Sequence, residues 1–324
     1  MPSVPPVLRA SRPVAAEAAP GRRRFGRRLL HWAVASTVAS AVVVGLTSPA
    51  QAATPVYIGA TGDIDGLAAH TGQPMARHVY TKFDKQVPAD ADMITVSASS
   101  GTWRSVANAG PGSALYNDIV RWAKTIKSRP GNVMVAYHHE PEVGAGRVGG
   151  SNNLGTAADY IAAYRKVVSI FRAQGVKNVE WTWQMSAYSF RVKPSDRRAA
   201  ANWYPGNAWV DNVGADGYNW ASCDGHSGAW LPIASFADPV VAFARAHGKH
   251  ASLPEFGSMP GPRRAEWLKD AHQYLIAHRD VMSAAFYYNK GANGPGDTCT
   301  WILNTAADFD AFRAMARDTA YFRS

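Results

Sequence analysis

Eight short apolar runs recur through residues 53–324, and they restrict the folds this chain can adopt more than any other feature. Each run is mostly continuous rather than alternating, as expected for parallel strands covered on both faces. The runs are Val56–Ala60, His78–Phe83, Met93–Ser97, Val133–His138, Val179–Met185, Val210–Tyr218, Ala251–Phe256 and Val281–Tyr288. They predict an α/β fold, a single (β/α)8 TIM barrel with its functional residues at the C-terminal strand ends, and an open doubly wound sheet is the alternative.

Helical spacing appears between several of these runs. Apolar residues step by three or four positions in two stretches, which predicts one buried stripe on each helix. The stripes are Leu115, Ile119, Trp122 and Ile126 behind a possible cap at Ser113, and Ile161, Tyr164, Val168 and Phe171 before Gly175. Trp122 and Trp267 fall on such stripes, so we expect them in the core.

The first 52 residues have the three parts of a secretory signal. An arginine-rich segment at 22–28 precedes the apolar run Leu29–Leu46, and Ala50-Gln51-Ala52 follows it. This order predicts cleavage after Ala52, and paired arginines before Phe25 are typical of the twin-arginine type. The alternative is an uncleaved anchor, because 18 apolar residues are near the lower limit for a membrane span. We expect a secreted protein that meets a membrane only during export.

Charge gives little support for a nucleic-acid partner. The formal net charge is +10, but residues 1–52 carry seven Arg and one Glu, so the remainder has only +4. Such a weak basic excess is not an electrostatic footprint for DNA or RNA. No linker or internal repeat divides residues 53–324, which predicts one catalytic domain and a monomer.

Two glutamates follow apolar strands where a barrel would open. Glu140 follows the fourth run and Glu255 ends the seventh. Hydrolysis of a glycosidic bond needs two such carboxyl groups, one to protonate the leaving oxygen and one to attack carbon or activate water. Alternatively, each could be an ordinary surface or salt-bridged residue, but uncompensated charge next to an apolar strand is costly.

The chain resembles the family 26 glycoside hydrolases, best known as secreted endo-β-1,4-mannanases. The resemblance covers most of residues 57–322 and rests on segments in a fixed order: His138-His139-Glu140, Trp181-Thr182-Trp183, Trp203-Tyr204-Pro205-Gly206, Val210–Tyr218 and Pro254-Glu255-Phe256-Gly257. It implies a retaining mechanism in which Glu140 is the acid/base and Glu255 the nucleophile. It also implies that His139 contacts the sugar and that Tyr218 bonds to the nucleophile.

Two segments depart from the family pattern. Mannanases usually continue after the acid/base with Met-Asn-Gly and a Trp, whereas this chain has Pro141-Glu142-Val143-Gly144-Ala145-Gly146. The eighth strand commonly ends in a Trp beneath the sugar, whereas here it ends Phe286-Tyr287-Tyr288-Asn289. We expect Tyr288 and Asn289 to contact substrate instead. β-1,4-Mannan is the first expectation for the substrate, with mixed-linkage β-glucan and β-1,3-xylan as alternatives.

Aromatic rings stack on the apolar faces of sugars, and several lie at predicted strand ends. We expect Trp183 and Trp220 to lie near the cleavage site, although core packing is the alternative for either ring. The even cysteine count of an exported protein favours a disulfide between Cys223 and Cys299 over two free buried thiols.

Other motifs support no cofactor and no metal. His139-Glu140 is not a zinc-protease motif, because Val143 stands where a second His is required. Adjacent His138 and His139 are more often hydrogen-bonded structure than metal ligands. Two further hypotheses remain: a barrel that binds polysaccharide without cleaving it, and an esterase using Ser227, which lacks the full nucleophile elbow.

Overall fold

The apolar runs form a closed barrel of eight parallel strands. The computed structural model describes residues 55–143, 154–223, 226, 228–291 and 299–323. The strands are β1 Val56–Gly62, β2 Ala76–Lys82, β3 Met93–Ser97, β4 Val133–Tyr137, β5 Val179–Ser186, β6 Asn212–Asn219, β7 His250–Ser258 and β8 Met282–Asn289. They pair in chain order, and β1 closes the barrel by pairing with both β8 and β2. This confirms the predicted barrel and excludes the open sheet.

A ninth strand lies outside this ring. The two-residue strand β9, Phe322–Arg323, pairs in parallel with β1. The sequence analysis did not predict it, because two residues show no periodicity.

Helices cover most of the crossovers. They are α1 Ile64–Thr71, α2 Trp103–Ala107, α3 Ala114–Lys127, α4 Ala157–Ala173, α5 Ala234–Ala246, α6 Arg264–Ala277 and α7 Ala306–Ala316. As predicted, the Ser113 side chain accepts from the Tyr116 N–H at the start of α3, and Gly175 after α4 has a φ of 72°. Between β5 and β6 the chain has only two 3-10 turns, Ala187–Phe190 and Ala200–Asn202. Within the described residues no helix has the length and hydrophobicity to cross a membrane.

Alternation along each strand divides the side chains between two compartments. In β5, Trp181 and Trp183 point outward to the rings of Phe171 and Phe243, with centroids 5.0 and 5.6 Å apart. Gln184, between outward neighbours, points into the barrel and is fully buried. The outer compartment is the main apolar core, and it includes Trp122 and Trp267 as predicted.

The barrel interior is polar as well as apolar. A small cluster of Ala76, Met93, Met134, Ala136, Ala284 and Phe286 fills part of it. Polar side chains occupy the rest, and those with less than 5% exposure include His78, Thr95, Thr182, Gln184, Asn212, Asp216 and Ser252. Buried polar groups need partners, so these positions prepare a hydrogen-bonded network below the barrel mouth.

A bulge in β7 shifts the pairing register of the C-terminal half of the strand, which carries Glu255. Between Gly214 and Asp216 of β6, the partner strand advances from Ser252 to Glu255, one residue more than β6 does. Pro254 lies in this extra step, where its missing N–H removes no ladder bond. A Cβ on Gly214 would lie 2.7 Å from the Pro254 ring, so glycine makes room for the bulge.

Candidate active site

Two tyrosine hydroxyls hold the Glu255 carboxylate at the mouth of the barrel. The Tyr80 hydroxyl donates to Oε1 and the Tyr218 hydroxyl donates to Oε2. Glu255 is only 9% exposed. The two donors fix the orientation of both oxygens, so the carboxylate is presented in one defined position.

Tyr80 and Tyr218 form a clamp on Glu255, and a chain of polar side chains supports this clamp from below. Gln184 Nε2 lies 2.9 Å from the Tyr80 hydroxyl and 2.9 Å from Asp216 Oδ2. The Thr95 hydroxyl donates to Gln184 Oε1 over 2.6 Å. His78 contacts Thr95 through Nε2 and the Pro254 carbonyl through Nδ1. The network therefore links β2, β3, β5 and β6 to the bulge that carries Glu255.

Glu140 stands opposite on strained backbone just after β4. His138 and Glu140 have φ values of 56° and 42°, in the left-handed region that residues with side chains rarely adopt. The Glu140 N–H donates to the Gln184 carbonyl over 3.0 Å. Strain of this kind persists only where surrounding contacts hold it, and it is concentrated at functional sites.

The two glutamates have different electrostatic surroundings. Burial raises the pKa of Glu140 well above its ordinary value, and the charges of Glu142 and Glu255 raise it further. Burial also raises the pKa of Glu255, but hydrogen bonds from Tyr218 and Tyr80 and the charge of Lys290 oppose that rise. No hydrogen bond from a described residue reaches the Glu140 carboxyl group. The arrangement favours a proton on Glu140 and a negative charge on Glu255.

A cavity of about 410 Å³ adjoins Glu255. Its lining includes Tyr80, His139, Tyr288 and Lys290 beside the carboxylate. The ring of His139 lies 5.0 Å from that of Tyr80, and burial, with His138 nearby, lowers the pKa of His139 to about 4. His139 is therefore neutral near pH 7. The structure thus brings together four residues singled out in the sequence: His139, Tyr218, Glu255 and Tyr288.

An aromatic cluster and a disulfide border Tyr218. Cys223 and Cys299 form the predicted bond, with Cα atoms 5.4 Å apart. Trp301 packs beside it, and its ring centroid is 4.5 Å from that of Tyr218 and 5.0 Å from that of Trp220. Trp220 is half-buried and stacks on His226. Its ring centroid is 5.4 Å from that of Tyr218, so Trp220 lies next to the residues that bond to Glu255.

Two residues expected to contact substrate are buried and do not line this cavity. Trp183 is fully buried on the outside of β5 against Phe190, Tyr204 and Phe243, because strand alternation points it away from the mouth. Asn289 is 2% exposed, and its side-chain amide is hydrogen-bonded to backbone groups. Its Nδ2 donates to the Asp63 carbonyl, and its Oδ1 accepts from the Leu303 N–H.

Sequence reasoning missed four polar residues of the site, namely Tyr80, Glu142, Gln184 and Asp216. Tyr80, Gln184 and Asp216 occupy inward positions of β2, β5 and β6, so the two-residue period of those strands is the signal that could have revealed them. Glu142 follows β4 in a turn and carries no comparable signal.

The remaining candidates from the sequence are a metal site, the Ser227 nucleophile and the glycine-rich segment after Glu142. In the described part of the chain, no group of three or more His, Cys, Asp or Glu side chains is arranged to hold a metal ion. Ser227, the nucleophile of the esterase hypothesis, and Gly144–Gly146 lie outside the described residues.

Comparison with known proteins gives a family match. The model for "Glycosyl hydrolase family 26" matches residues 60–280. Endoglucanase H of Acetivibrio thermocellus is 31% identical over 162 residues, which are 50% of this chain and 17% of that protein. The chain therefore spans only about a sixth of that relative's length.

Solved structures share the fold. A Cellulomonas fimi endo-β-1,4-mannanase double mutant aligns over 82% of this chain and 71% of its own, with a TM-score of 0.53 and 17% identity. The catalytic domain of the Bacillus sp. JAMB-750 endo-β-1,4-mannanase aligns over 82% and 86%, with a TM-score of 0.53 and 14% identity.

Proposed function

Since the chain belongs to glycosyl hydrolase family 26, we propose that it is a secreted, retaining endo-glycosidase that cleaves a β-linked polysaccharide. In this proposal Glu140 is the acid/base and Glu255 the nucleophile. The observation that carries it is the contrast between a carboxylate clamped by two hydroxyls and a desolvated carboxyl group surrounded by like charge.

The reaction would proceed by double displacement. Glu255 attacks the anomeric carbon with an oxygen lone pair, while Glu140 gives its proton to the departing glycosidic oxygen. Loss of that proton leaves Glu140 as the base for the second step. It then takes a proton from water, which attacks the glycosyl-enzyme ester and releases Glu255 as a carboxylate.

The substrate we propose first is β-1,4-mannan. Both mannanase structures share the fold, but at 14–17% identity they support the fold alone. The identity to a protein named endoglucanase H keeps mixed-linkage β-glucan as the second candidate. β-1,3-Xylan is third, because the segments after β4 and at the end of β8 depart from the mannanase pattern.

Export through a twin-arginine-like signal is part of the same proposal. It rests on the arginine-rich segment, the apolar run and Ala50-Gln51-Ala52. Secreted protein should begin at Ala53, which N-terminal sequencing of culture supernatant would check.

A reducing-sugar screen tests the activity. Residues 53–324 are incubated with mannan, galactomannan, mixed-linkage glucan and β-1,3-xylan, with Glu255→Ala as the catalytic control and Glu266→Ala as an exposed carboxyl control. We expect one polysaccharide to be cleaved by the parent chain and by Glu266→Ala but not by Glu255→Ala. Binding without release of reducing ends from any substrate would instead support the non-catalytic barrel.

A further inference from the structure

Glu142 is a buried carboxyl group two residues beyond Glu140, in the turn that leaves β4. It is 1% exposed. Its Oε1 accepts from the Ser186 N–H over 2.8 Å and from the Ser189 hydroxyl over 2.7 Å. These two bonds tie the turn after β4 to the 3-10 turn after β5.

The tie does not by itself require a negative charge. A glutamine carbonyl oxygen could accept the same two hydrogen bonds. Oε2 is buried and has no hydrogen-bond partner among the described residues, and none of the ion pairs between those residues includes Glu142. A buried, unpaired carboxylate is costly, so its presence points to a use for the charge.

Glu142 acts on three titratable groups, and one cation acts on Glu142. Glu140 shares its turn, Tyr160 projects from α4 and Asp216 from β6, and the charge of Glu142 raises the pKa of each. Arg198 lies beyond the 3-10 turn and lowers the pKa of Glu142, and its guanidinium is already 3.0 Å from Asp196. Among the described residues, the negative field of Glu142 on Glu140 is therefore only partly compensated.

We propose that Glu142 is a positioning residue for the general acid, whose buried negative charge keeps the proton on Glu140 as the pH rises. It acts through Glu140 and does not touch the substrate. The inference rests on the proposed acid/base role of Glu140.

The direction of both pKa shifts agrees with this role. Burial raises the pKa of Glu142 to about 7, although bonds from Ser189 and Ser186 and the charge of Arg198 oppose the rise. Among the neighbouring charges, that of Glu142 acts most strongly to raise the pKa of Glu140. Above pH 7 Glu142 is increasingly ionised, so it delays ionisation of Glu140 where the enzyme would otherwise lose its acid.

The test is the pH profile of kcat/KM on the polysaccharide that the screen identifies. In Glu142→Gln the side-chain carbonyl keeps both hydrogen bonds, and the alkaline limb should move down by about one pH unit. Glu180→Gln removes a carboxylate near the start of β5, at the opposite end of the barrel, and should leave the limb in place.

An unmoved limb in Glu142→Gln, with activity lowered equally at every pH, would overturn the proposal and leave only a structural tie. A downward shift of the same size in Glu180→Gln would also overturn it. Failure of the proposed function is separate: full polysaccharide hydrolysis by Glu140→Ala would refute the role of Glu140 itself.

A second measurement does not depend on the folding of the Glu142 variant. With 13C in the glutamate side-chain carboxyl groups, NMR of the parent chain should show Glu142 ionising first and Glu140 at higher pH. Glu140→Gln is as neutral as protonated Glu140, so it should leave the Glu142 step in place. Ionisation of Glu140 before Glu142 in the parent chain would overturn the proposal.

Discussion

Two regions within the described part of the chain hold buried carboxyl groups in opposite environments. Between α6 and α7, Asp308 is 2% exposed and accepts from Arg264 over 2.6 Å and from the Thr305 hydroxyl over 2.6 Å. Burial acts to raise the pKa of Asp308, but the hydrogen bonds from Arg264 and Thr305 prevail and lower it. Arg264 also donates to the Ile302 carbonyl and to Asn304.

At the barrel mouth, Glu140, Glu142, Asp216 and Glu255 lie within one another's fields, and burial raises the pKa of each. Tyrosine, glutamine and serine side chains bond to three of them, where Asp308 has an arginine. Neutral donors orient a carboxyl group without removing its affinity for a proton, whereas a cation removes it. The α6–α7 pair stabilises the fold, whereas the carboxyl groups at the mouth keep raised pKa values, as the proposed proton transfer requires.

The largest expected effect separates the two glutamates at the mouth. Glu255→Ala should lower kcat by roughly 10⁴-fold or more on every substrate, with no covalent intermediate, because the nucleophile is gone. Glu140→Ala should lower hydrolysis of natural polysaccharide by about 10²–10⁴-fold. An activated aryl glycoside needs little protonation to depart, so Glu140→Ala should still show a burst of aryl release. Azide needs no general base, so it should then speed turnover of the accumulated glycosyl-enzyme.

Stopped-flow bursts and trapping by mass spectrometry measure this difference. Equal losses in both variants on activated and natural substrates, with no trapped ester and no azide rescue, would contradict the assigned roles.

The next largest expected effect is on stability, and it concerns the Arg264–Asp308 pair between α6 and α7. Asp308→Asn leaves the buried Arg264 guanidinium without its counter-charge and should cost about 3–5 kcal/mol of unfolding free energy at pH 7. Because the pKa of Asp308 is lowered by folding, its contribution should be present above the unfolded value and lost as the pH falls through the folded value. Asp310→Asn, which breaks an exposed pair with Arg313 on the same helix, should cost at most about 1 kcal/mol.

Urea unfolding at several pH values measures both variants. Activity per folded molecule should stay unchanged in Asp308→Asn. A loss of kcat without a loss of stability would show that the α6–α7 pair also serves the active site.

The smallest expected effect concerns the clamp on Glu255. Tyr80→Phe removes one hydrogen bond that lowers the pKa of Glu255, so the pKa should rise and the acidic limb of kcat/KM should move up by about one pH unit. Losing a hydrogen bond to a charged group should reduce kcat/KM by about 10- to 100-fold. Tyr218→Phe should behave alike.

Tyr287→Phe is the matched control, because its hydroxyl donates to the Trp301 carbonyl and not to Glu255. It should lower stability without moving the acidic limb. An acidic limb that stays in place in both clamp variants would show that the tyrosines do not control ionisation of Glu255.

The fold was largely predictable because its signal is local and repeated. Each strand is a short apolar run, and each of the two predicted stripes appeared as α3 or α4 with its buried face inward. Two residues expected to contact substrate lie elsewhere for reasons that depend on the tertiary structure. Trp183 lies in a strand that leads to the mouth, but the alternation of side chains along that strand points its ring outward. The Asn289 side chain bonds to backbone groups of Asp63 and Leu303, which lie in other loops.

The sequence alone determined which strands lead to a glutamate and which residues share a motif with a known family, since both depend on neighbours along the chain. Only the tertiary structure decided that Tyr80, from β2, shares Glu255 with Tyr218 from β6, and that Gln184 supports both Tyr80 and Asp216. Likewise, only folding buries Glu142 beside Glu140. The reason is physical: barrel closure and the β7 bulge set which side chains meet, and their proton affinities follow from the desolvation and neighbouring charges that this meeting creates.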